Sequence, residues 1–332
     1  MDSAPAERRD PPWGIAPIPT TIAIVVSYNS AAHLGLCLSS LEAQRGVDLE
    51  IHVVDNASTD GSAELVHREF PGARLTANPT NLGFARANNQ VLDRAVADFY
   101  ALVNPDTVLP PDAVAACVNH LRSHASAGIA ATRLVFPDGT LQPSCYSFLG
   151  IRNLFGETFG VHRLLPGLRP LSSFHMPWFR HDRIQEVDWV PGAFLVVRGE
   201  VVRTVGGFDD EFFMYAEEMD WCRRIRNAGW RVVFLPEPAV THIRGASSRS
   251  NAGPMFVQNL MGRVRFLRKH RGVFVAAVAR GLIAVSVLLR FLRQEVQALG
   301  RRLSRRGREQ THPASQTMFR AAMRWVTRGM PS

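Results

Sequence analysis

Regular patterning begins at Thr21, where TIAIVVSY (21–28) sets an unbroken apolar, β-branched run between turn residues. Such a run suits a strand covered on both faces, as in a parallel sheet. Residues 31–45 follow with helical spacing. LEIHVVDN (49–56) predicts a second strand, and ASTDGS opens the next helix with Ser58, Thr59 and Asp60 as candidate caps. RLTANP (74–79) predicts a third strand and GFARANNQVLDRAV (83–96) a helix after a glycine turn. FYALVNPDT (99–107) predicts a fourth strand, and PPDAVAACVNHLRS (110–123) a helix with proline at its start. Strands alternating with helices predict an α/β domain with a mostly parallel central sheet flanked by helices.

The alternation stops near residue 133. RLVFPDGTLQPSC (133–145) predicts a hairpin around an Asp-Gly turn, whereas residues 150–185 are rich in Pro, Phe, His and Arg without a period. That segment suits a long loop over a site, or an irregular insertion. VDWVPGAFLVVRGEVVRTVGGFDDEFF (187–213) returns to strand, then helix, then a Gly-Gly turn. A helix carrying Glu217, Glu218 and Asp220 at its start runs to Gly229, and WRVVFLPEPAVTHIRG (230–245) predicts a strand pair or a bent strand.

The last distinct pattern is the apolar run GVFVAAVARGLIAVSVLLRFL (272–292). Its length is close to the ~20 apolar residues of a membrane-spanning helix. Arg280 sits at its middle, however, at a cost of about 2.5–3.5 kcal/mol in hydrocarbon even on lenient scales. A helix lying in the membrane plane, or docked on the preceding domain, is favoured over a span. Beyond it, residues 301–316 read as a solvated basic tail and 317–330 as a short amphipathic helix. The first 19 residues read as a disordered leader; they lack the apolar core of a secretion signal.

Composition narrows the picture. The 332 residues are 46% hydrophobic, enough for a sizeable core in one large domain or two small ones. The four cysteines have no metal spacing, which suits reduced thiols. The net charge of +9 is concentrated after residue 263, where Arg residues flank the apolar run. Basic clusters bind nucleic acid or anionic lipid; here the apolar run favours a membrane surface, and no nucleic-acid partner is expected. Neither GxGxxG nor GxxxxGK[ST] occurs, so dinucleotide and P-loop binding lack support.

Ligands of open α/β sheets bind beyond the carboxyl ends of strands. Those ends here are Tyr28-Asn29-Ser30, Asp55-Asn56-Ala57, Asn78-Pro79 and Asn104-Pro105-Asp106. Glu217, Glu218 and Asp220 follow Phe212, Phe213 and Tyr215, and Arg223, Arg224 and Arg226 follow them. Acid at the start and base at the end suits the helix dipole, and Asp220 can pair with Arg223 or Arg224. The aromatic run ahead of Glu217 and Glu218 implies desolvation, which raises a carboxyl pKa and makes a base that works near neutral pH.

VVSYNS, VDNASTDGS, NLGFARANNQ, LVNPDT, VPGAFLVVR, GGFDDEFFMYAEEMDWCRRIRNAGW and THIRG together resemble the inverting nucleotide-sugar glycosyltransferases of family 2, in particular rhamnosyltransferase-like members. The resemblance covers residues ~20 to ~270. It implies a GT-A fold with a nucleotide-binding half (20–132) and an acceptor-binding half (133–270), followed by a membrane-associating helical tail (271–332). Matched residue by residue, it implies Ser27, Tyr28 and Asn29 beside the nucleotide and Asp55 on the N3–H of a uracil or thymine base. Gly83, Arg86 and Asn88 would lie near ribose and pyrophosphate. Asn104-Pro105-Asp106 stands where the family often has Asp-x-Asp, which leaves Asp106 as the ligand of Mg²⁺ or Mn²⁺, with His242 as a late second ligand. Glu218, the second member of the family's acidic pair, is the implied base, with Glu217 in support. Trp189 and Gly192 would lie near the donor or acceptor sugar, although a core role suits Trp189 equally. Asp220 would border the acceptor pocket or anchor its helix. Arg244 or Arg249 could face the diphosphate. The implied donor is a dTDP- or UDP-sugar, with dTDP-rhamnose foremost and UDP-hexose or UDP-galactofuranose as alternatives. The implied acceptor is a glycan or polyprenyl-diphosphate-linked hydroxyl at the cytoplasmic face of the membrane, with the chain peripheral or anchored through 272–292. A competing reading is a non-catalytic protein of the same fold that binds membrane or RNA through its Arg-rich tail.

Overall fold

Strand β1 (Thr20–Ser27) is buried along nearly its whole length, and β2 (Asp48–Asp55), β3 (Arg74–Ala77) and β4 (Phe99–Val103) extend the sheet from it in parallel. The computed structural model describes residues 20–164, 168, 171, 174–243, 252–303 and 322. The leader, the basic segment beyond residue 303, the final amphipathic segment except Ala322, Arg244 and Arg249 lie outside those residues.

Successive side chains of a strand face opposite ways, which builds two cores. Ala23 and Val25 face α1 (Ala31–Glu42), α2 (Ser62–Glu69) and α4 (Ala113–Ser123). Ile22, Ile24 and Val26 face α3 (Phe84–Leu92), α7 (Gly199–Val205) and α8 (Glu217–Asn227). Asp60 caps two helix starts together, accepting from Ser62 N–H at 3.1 Å and from Ala31 N–H at 2.9 Å.

Parallel order holds only in the first half of the sheet. Past β4 the sheet is mixed: β9 (Phe194–Arg198) runs antiparallel to β4 and to β6 (Ala127–Val135). The bent strand β10 (Arg231–His242) is parallel to β6, with β5 (Thr107–Val108) and β8 (Gln185–Val187) antiparallel on it. The reason lies in the excursion after β6. The predicted hairpin forms with β7 (Leu141–Gln142), then α5 (Ile151–Thr158) and α6 (Val161–Leu164) keep the chain at the carboxyl end of the sheet. β9 therefore enters from that end. Register then gathers the site: Ser27 pairs with Asp55, Asp55 with Ala77, Val103 with Phe194 and Thr107 with His242.

A third core is built by α5, α8, α9 (Ala252–Arg271) and α10 (Val273–Leu303). In α10, Ala276, Ala279, Ile283 and Val287 recur at helical spacing and are buried against α9 and α5. The opposite face carries exposed Phe274, Val278, Val285, Leu288, Leu289 and Leu292. Residues Val273–Gln297 are long and apolar enough to cross a membrane by length and composition.

Candidate active site

The segment before α8 is held in an uncommon backbone conformation. Tyr215 and Ala216 both have φ 70, a left-handed region that costs side-chain-bearing residues energy and persists where the surroundings enforce it. Gly83 is part of that enforcement. It has φ +83, and a Cβ placed there would sit 2.4 Å from the Phe213 carbonyl oxygen. That same carbonyl accepts from Phe84 N–H at 2.9 Å. The glycine thus lets the start of α3 bind the loop that delivers the acidic pair.

Glu217 and Glu218 open α8 and line a cavity of about 560 Å³. Glu217 is buried, and its Oε2 has no partner among the described residues. Burial, reinforced by the neighbouring Glu218, pushes its pKa well above the usual carboxylate range. Glu218 is half-buried and accepts from the Gly192 N–H at 3.1 Å through Oε1. Burial raises its pKa too, against the opposing pull of that N–H. Glycine is needed at 192 for this contact, because a Cβ would lie 2.9 Å from Phe84 Cζ and 3.2 Å from Glu218 Oε1. Glu218 is thus the member with a donor to steady an ionised carboxylate and a hydrogen-bonded orientation, whereas Glu217 Oε2 has neither among the described residues.

Asp220 is separate from this pair. It is fully buried and points away from the cavity, accepting from Arg224 Nε at 2.9 Å, Lys269 Nζ at 3.0 Å and His270 Nε2 at 2.7 Å. Burial alone would raise its pKa, but these donors outweigh burial and hold it at about 2. Arg224 fulfils the pairing read from the sequence, whereas Arg223 lies over the Phe148 ring, 5.0 Å from its centroid. Asp220 clamps α8 to α9 and does not line the cavity.

Across the cavity, Asp106 Oδ1 lies 3.3 Å from His242 Nε2, with both side chains 10% exposed. Asn104 Nδ2 lies 3.5 Å from the same nitrogen. Among the described residues no cluster of three or more His, Cys, Asp or Glu is placed to hold a metal. One carboxylate and one imidazole nitrogen converging on the cavity nonetheless fit a hard or borderline cation, such as Mg²⁺ or Mn²⁺, that also takes oxygen from a diphosphate.

The side where the family resemblance places the nucleotide is a polar network at the ends of β1 to β3. Asp55 is buried; its Oδ2 accepts from Ser58 N–H at 2.9 Å, and its Oδ1 is unpartnered among the described residues. Asn29, in a left-handed conformation, bridges to the loop after β2, accepting from Thr59 N–H at 2.8 Å. Ser27 is buried behind Tyr28, which lines the cavity. Ser27, Asn29 and Asp55 do not themselves line the cavity, and neither do Arg86 and Asn88. Arg86 is exposed, 3.8 Å from Asp210, and buried Asn88 donates to the Phe84 carbonyl at 2.9 Å inside α3. Their helix starts at the cavity, but its axis carries both side chains away. Trp189 does line the cavity, stacked on Tyr146 with ring centroids 4.3 Å apart.

Several lining residues carry no sequence signal of their own: Gln142 from the hairpin, Tyr146 just after it, and Met255 and Asn259 from α9. Asn56 and Asn81 stood within quoted motifs without an assigned role, and both reach the cavity. All four cysteines are buried free thiols away from it, with burial pushing Cys37 and Cys222 up to about 12.

This arrangement has counterparts. The chain is 28% identical over 243 residues to an N-acetylglucosaminyl-diphospho-decaprenol L-rhamnosyltransferase of Mycobacterium tuberculosis, spanning 68% of this chain and 76% of that relative. Rhamnosyltransferase WbbL of Escherichia coli is 35% identical over 85 residues, 26% of this chain and 32% of that protein. Among solved structures, mannosyltransferase PcManGT from Pyrobaculum calidifontis in complex with GDP-Man and Mn²⁺ superposes with a TM-score of 0.54 at 18% identity, over 94% of this chain and 88% of that one. The shared architecture is the GT-A fold. A family profile described as Glycosyl transferase family 2 matches residues 22–187. With acidic pair and strand-end site on one cavity of that fold, the chain belongs to glycosyl transferase family 2.

Proposed function

We propose that the chain moves L-rhamnose from dTDP-rhamnose to a hydroxyl of a cell-envelope glycan or a polyprenyl-diphosphate-linked acceptor, inverting the anomeric centre. The observation that carries this reading is Glu218, a carboxylate of raised pKa, facing the Asp106–His242 pair across one cavity. The choice of sugar and acceptor is supported by the mycobacterial relative, whose name describes transfer of L-rhamnose to a decaprenyl-diphosphate-linked sugar.

In this mechanism the unpartnered Oδ1 of Asp55 accepts the N3–H of the base, and Tyr28 and Asn56 wall the nucleotide. A divalent cation bound by Asp106 and His242 would supply positive charge at the leaving diphosphate. Glu218 takes the acceptor hydroxyl proton as that oxygen bonds to the anomeric carbon, and the bond from that carbon to the diphosphate breaks on the opposite face. One displacement inverts the centre and requires no covalent sugar–enzyme intermediate. Glu217, protonated beside it, leaves the negative charge on Glu218.

The exposed apolar face of α10 rests on the cytoplasmic face of the membrane in this reading, with its Arg residues near anionic headgroups. Sedimentation with anionic vesicles tests it. Leu288→Glu with Leu292→Glu should leave the protein in the supernatant with donor binding intact; unchanged pelleting would place the contact elsewhere.

Turnover of labelled dTDP-rhamnose and UDP-sugars with membrane extract tests the activity, wild type against Glu218→Gln. Rhamnosyl transfer that vanishes in the variant is expected. Calorimetry that finds tight UDP binding and none of dTDP would replace the rhamnosyl reading with a UDP-hexose or UDP-galactofuranose transferase.

A further inference from the structure

We infer that Gln142, a residue of the two-residue strand β7, is a positioning residue that fixes His242 in its Nδ1–H tautomer and so aims the Nε2 lone pair at Asp106. The inference rests on the cation reading of the site. Its basis is the direction of hydrogen bonds around one buried amide.

Gln142 is 3% exposed and spans the end of β10 twice. Its Nε2 lies 3.4 Å from the His242 carbonyl oxygen, and its Oε1 lies 2.7 Å from His242 Nδ1. A carbonyl oxygen only accepts, so the amide nitrogen must face it. The flipped amide would set two oxygens against each other. With the nitrogen so placed, the amide oxygen faces Nδ1, and an amide oxygen also only accepts. Nδ1 must then carry the proton, which leaves the lone pair of the neutral ring on Nε2. The other side of the ring carries one contact for this tautomer and one against it in the absence of a cation. Asn104 Nδ2, which only donates, lies 3.5 Å from Nε2. The Asp106 carboxylate oxygen, which only accepts, lies 3.3 Å from it. Two lone-pair atoms that close repel, and a cation shared between them relieves the repulsion. A backbone carbonyl thus selects the tautomer through one glutamine, in the way that outer partners of metal-binding histidines commonly set ring orientation.

The test is ¹⁵N NMR of the full-length, metal-free protein labelled in histidine, at a pH where the ring is neutral, with His242→Gln to assign the signals. Wild type should show a protonated Nδ1 and a lone-pair Nε2. Gln142→Leu should move the proton to Nε2 and weaken Mn²⁺ binding by about 10–100-fold, read by electron paramagnetic resonance with Mn²⁺ alone and with dTDP or UDP. A wild-type ring protonated at Nε2 overturns the inference by itself, whether or not the leucine variant folds. So does a folded Gln142→Leu protein with unchanged tautomer and Mn²⁺ affinity. A wild-type enzyme that transfers sugar with His242 protonated at Nε2 would sink this inference and leave the transferase standing. An Nδ1–H ring in a protein that transfers no sugar would do the reverse.

Discussion

The two walls of the cavity are held in place by different physics. On the nucleotide wall, neutral amides close a local network. Asn56 Oδ1 accepts from Asn78 Nδ2 at 3.0 Å, Asn78 and Gln90 exchange bonds at 3.1 and 3.0 Å, and Asn56 Nδ2 donates to the Gly83 carbonyl at 3.1 Å. Each partner lies in the stretch from the end of β2 through α3. On the acidic wall, α8 is fixed by charge from far along the chain, because the partners of Asp220 include Lys269 and His270 of α9. The first wall is preorganised by short-range bonds that tolerate pH and salt. The second depends on a helix that also carries the apolar α10, so its geometry is tied to whatever α10 rests upon. The comparison can be broken at either wall, and the variants below separate the two.

The largest effect is expected on the acidic wall itself. Glu218→Gln keeps the shape and the Gly192 contact but removes the base. Transfer should fall by about 10²–10⁴-fold while dTDP or UDP affinity, measured by calorimetry, stays unchanged. Turnover within a few-fold of wild type would move the base to another residue. The pH profile sharpens the point. Activity needs ionised Glu218, whose pKa is raised above its ordinary 4.5 by burial, so kcat/KM should fall with decreasing pH on a limb centred above that value. A limb at the ordinary value would mean that Glu218 is solvated during catalysis.

Next comes the clamp. Asp220→Asn leaves Lys269, His270 and Arg224 facing a neutral amide, and breaking a buried pair costs about 3 kcal/mol at the lower end of such losses. The fold should weaken by that amount at neutral pH, read from denaturant midpoints. The folded-state pKa is depressed from 3.8 to about 2, so the stabilisation is complete above pH ~4 and is lost as pH falls toward 2. Wild type and variant should converge over that window; parallel stability curves down to pH 2 would show that the carboxylate is not what holds α9.

This clamp also marks where the sequence stops being readable. The alternating runs from Thr21 to Ser123 give both parallel strands and the polar ends, because periodicity and turn chemistry are local. Glu217, Glu218, Asp106 and His242 are named by the family resemblance, not by periodicity, and the fold brings all four to the lining of one cavity. The antiparallel entry of β9 was not, since it follows from the excursion between Val135 and Phe194, much of it without a period. Nor was Gln142, an ordinary hairpin residue until β10 arrives beside it. Arg86 and Asn88 show the opposite error: their motif reaches the cavity through Gly83, but side-chain direction along a helix cannot be read from spacing to a motif alone.

The smallest effect is expected on the nucleotide wall, at Asp55. Its Oδ2 is committed to the Ser58 N–H, and its buried Oδ1, unpartnered among the described residues, is the atom that in the proposed reading accepts the N3–H of a uracil or thymine. Asp55→Asn is nearly isosteric, yet neither orientation of the amide satisfies both donors. With its oxygen on Ser58, the NH₂ group meets the base N3–H; with its oxygen on the base, the NH₂ group meets the Ser58 N–H. One bond to a charged acceptor is lost either way, worth about 1.5–3 kcal/mol, or roughly 10–100-fold in nucleotide affinity. The amide network through Asn56, Asn78 and Gln90 does not include this carboxylate, so the remaining wall should stay in place. The expected outcome is therefore a weaker Kd for dTDP or UDP in calorimetry, with kcat at saturating donor close to wild type. If kcat fell as far as in Glu218→Gln, the two walls would be coupled, and the division between a locally held nucleotide side and a remotely clamped acidic side would not stand.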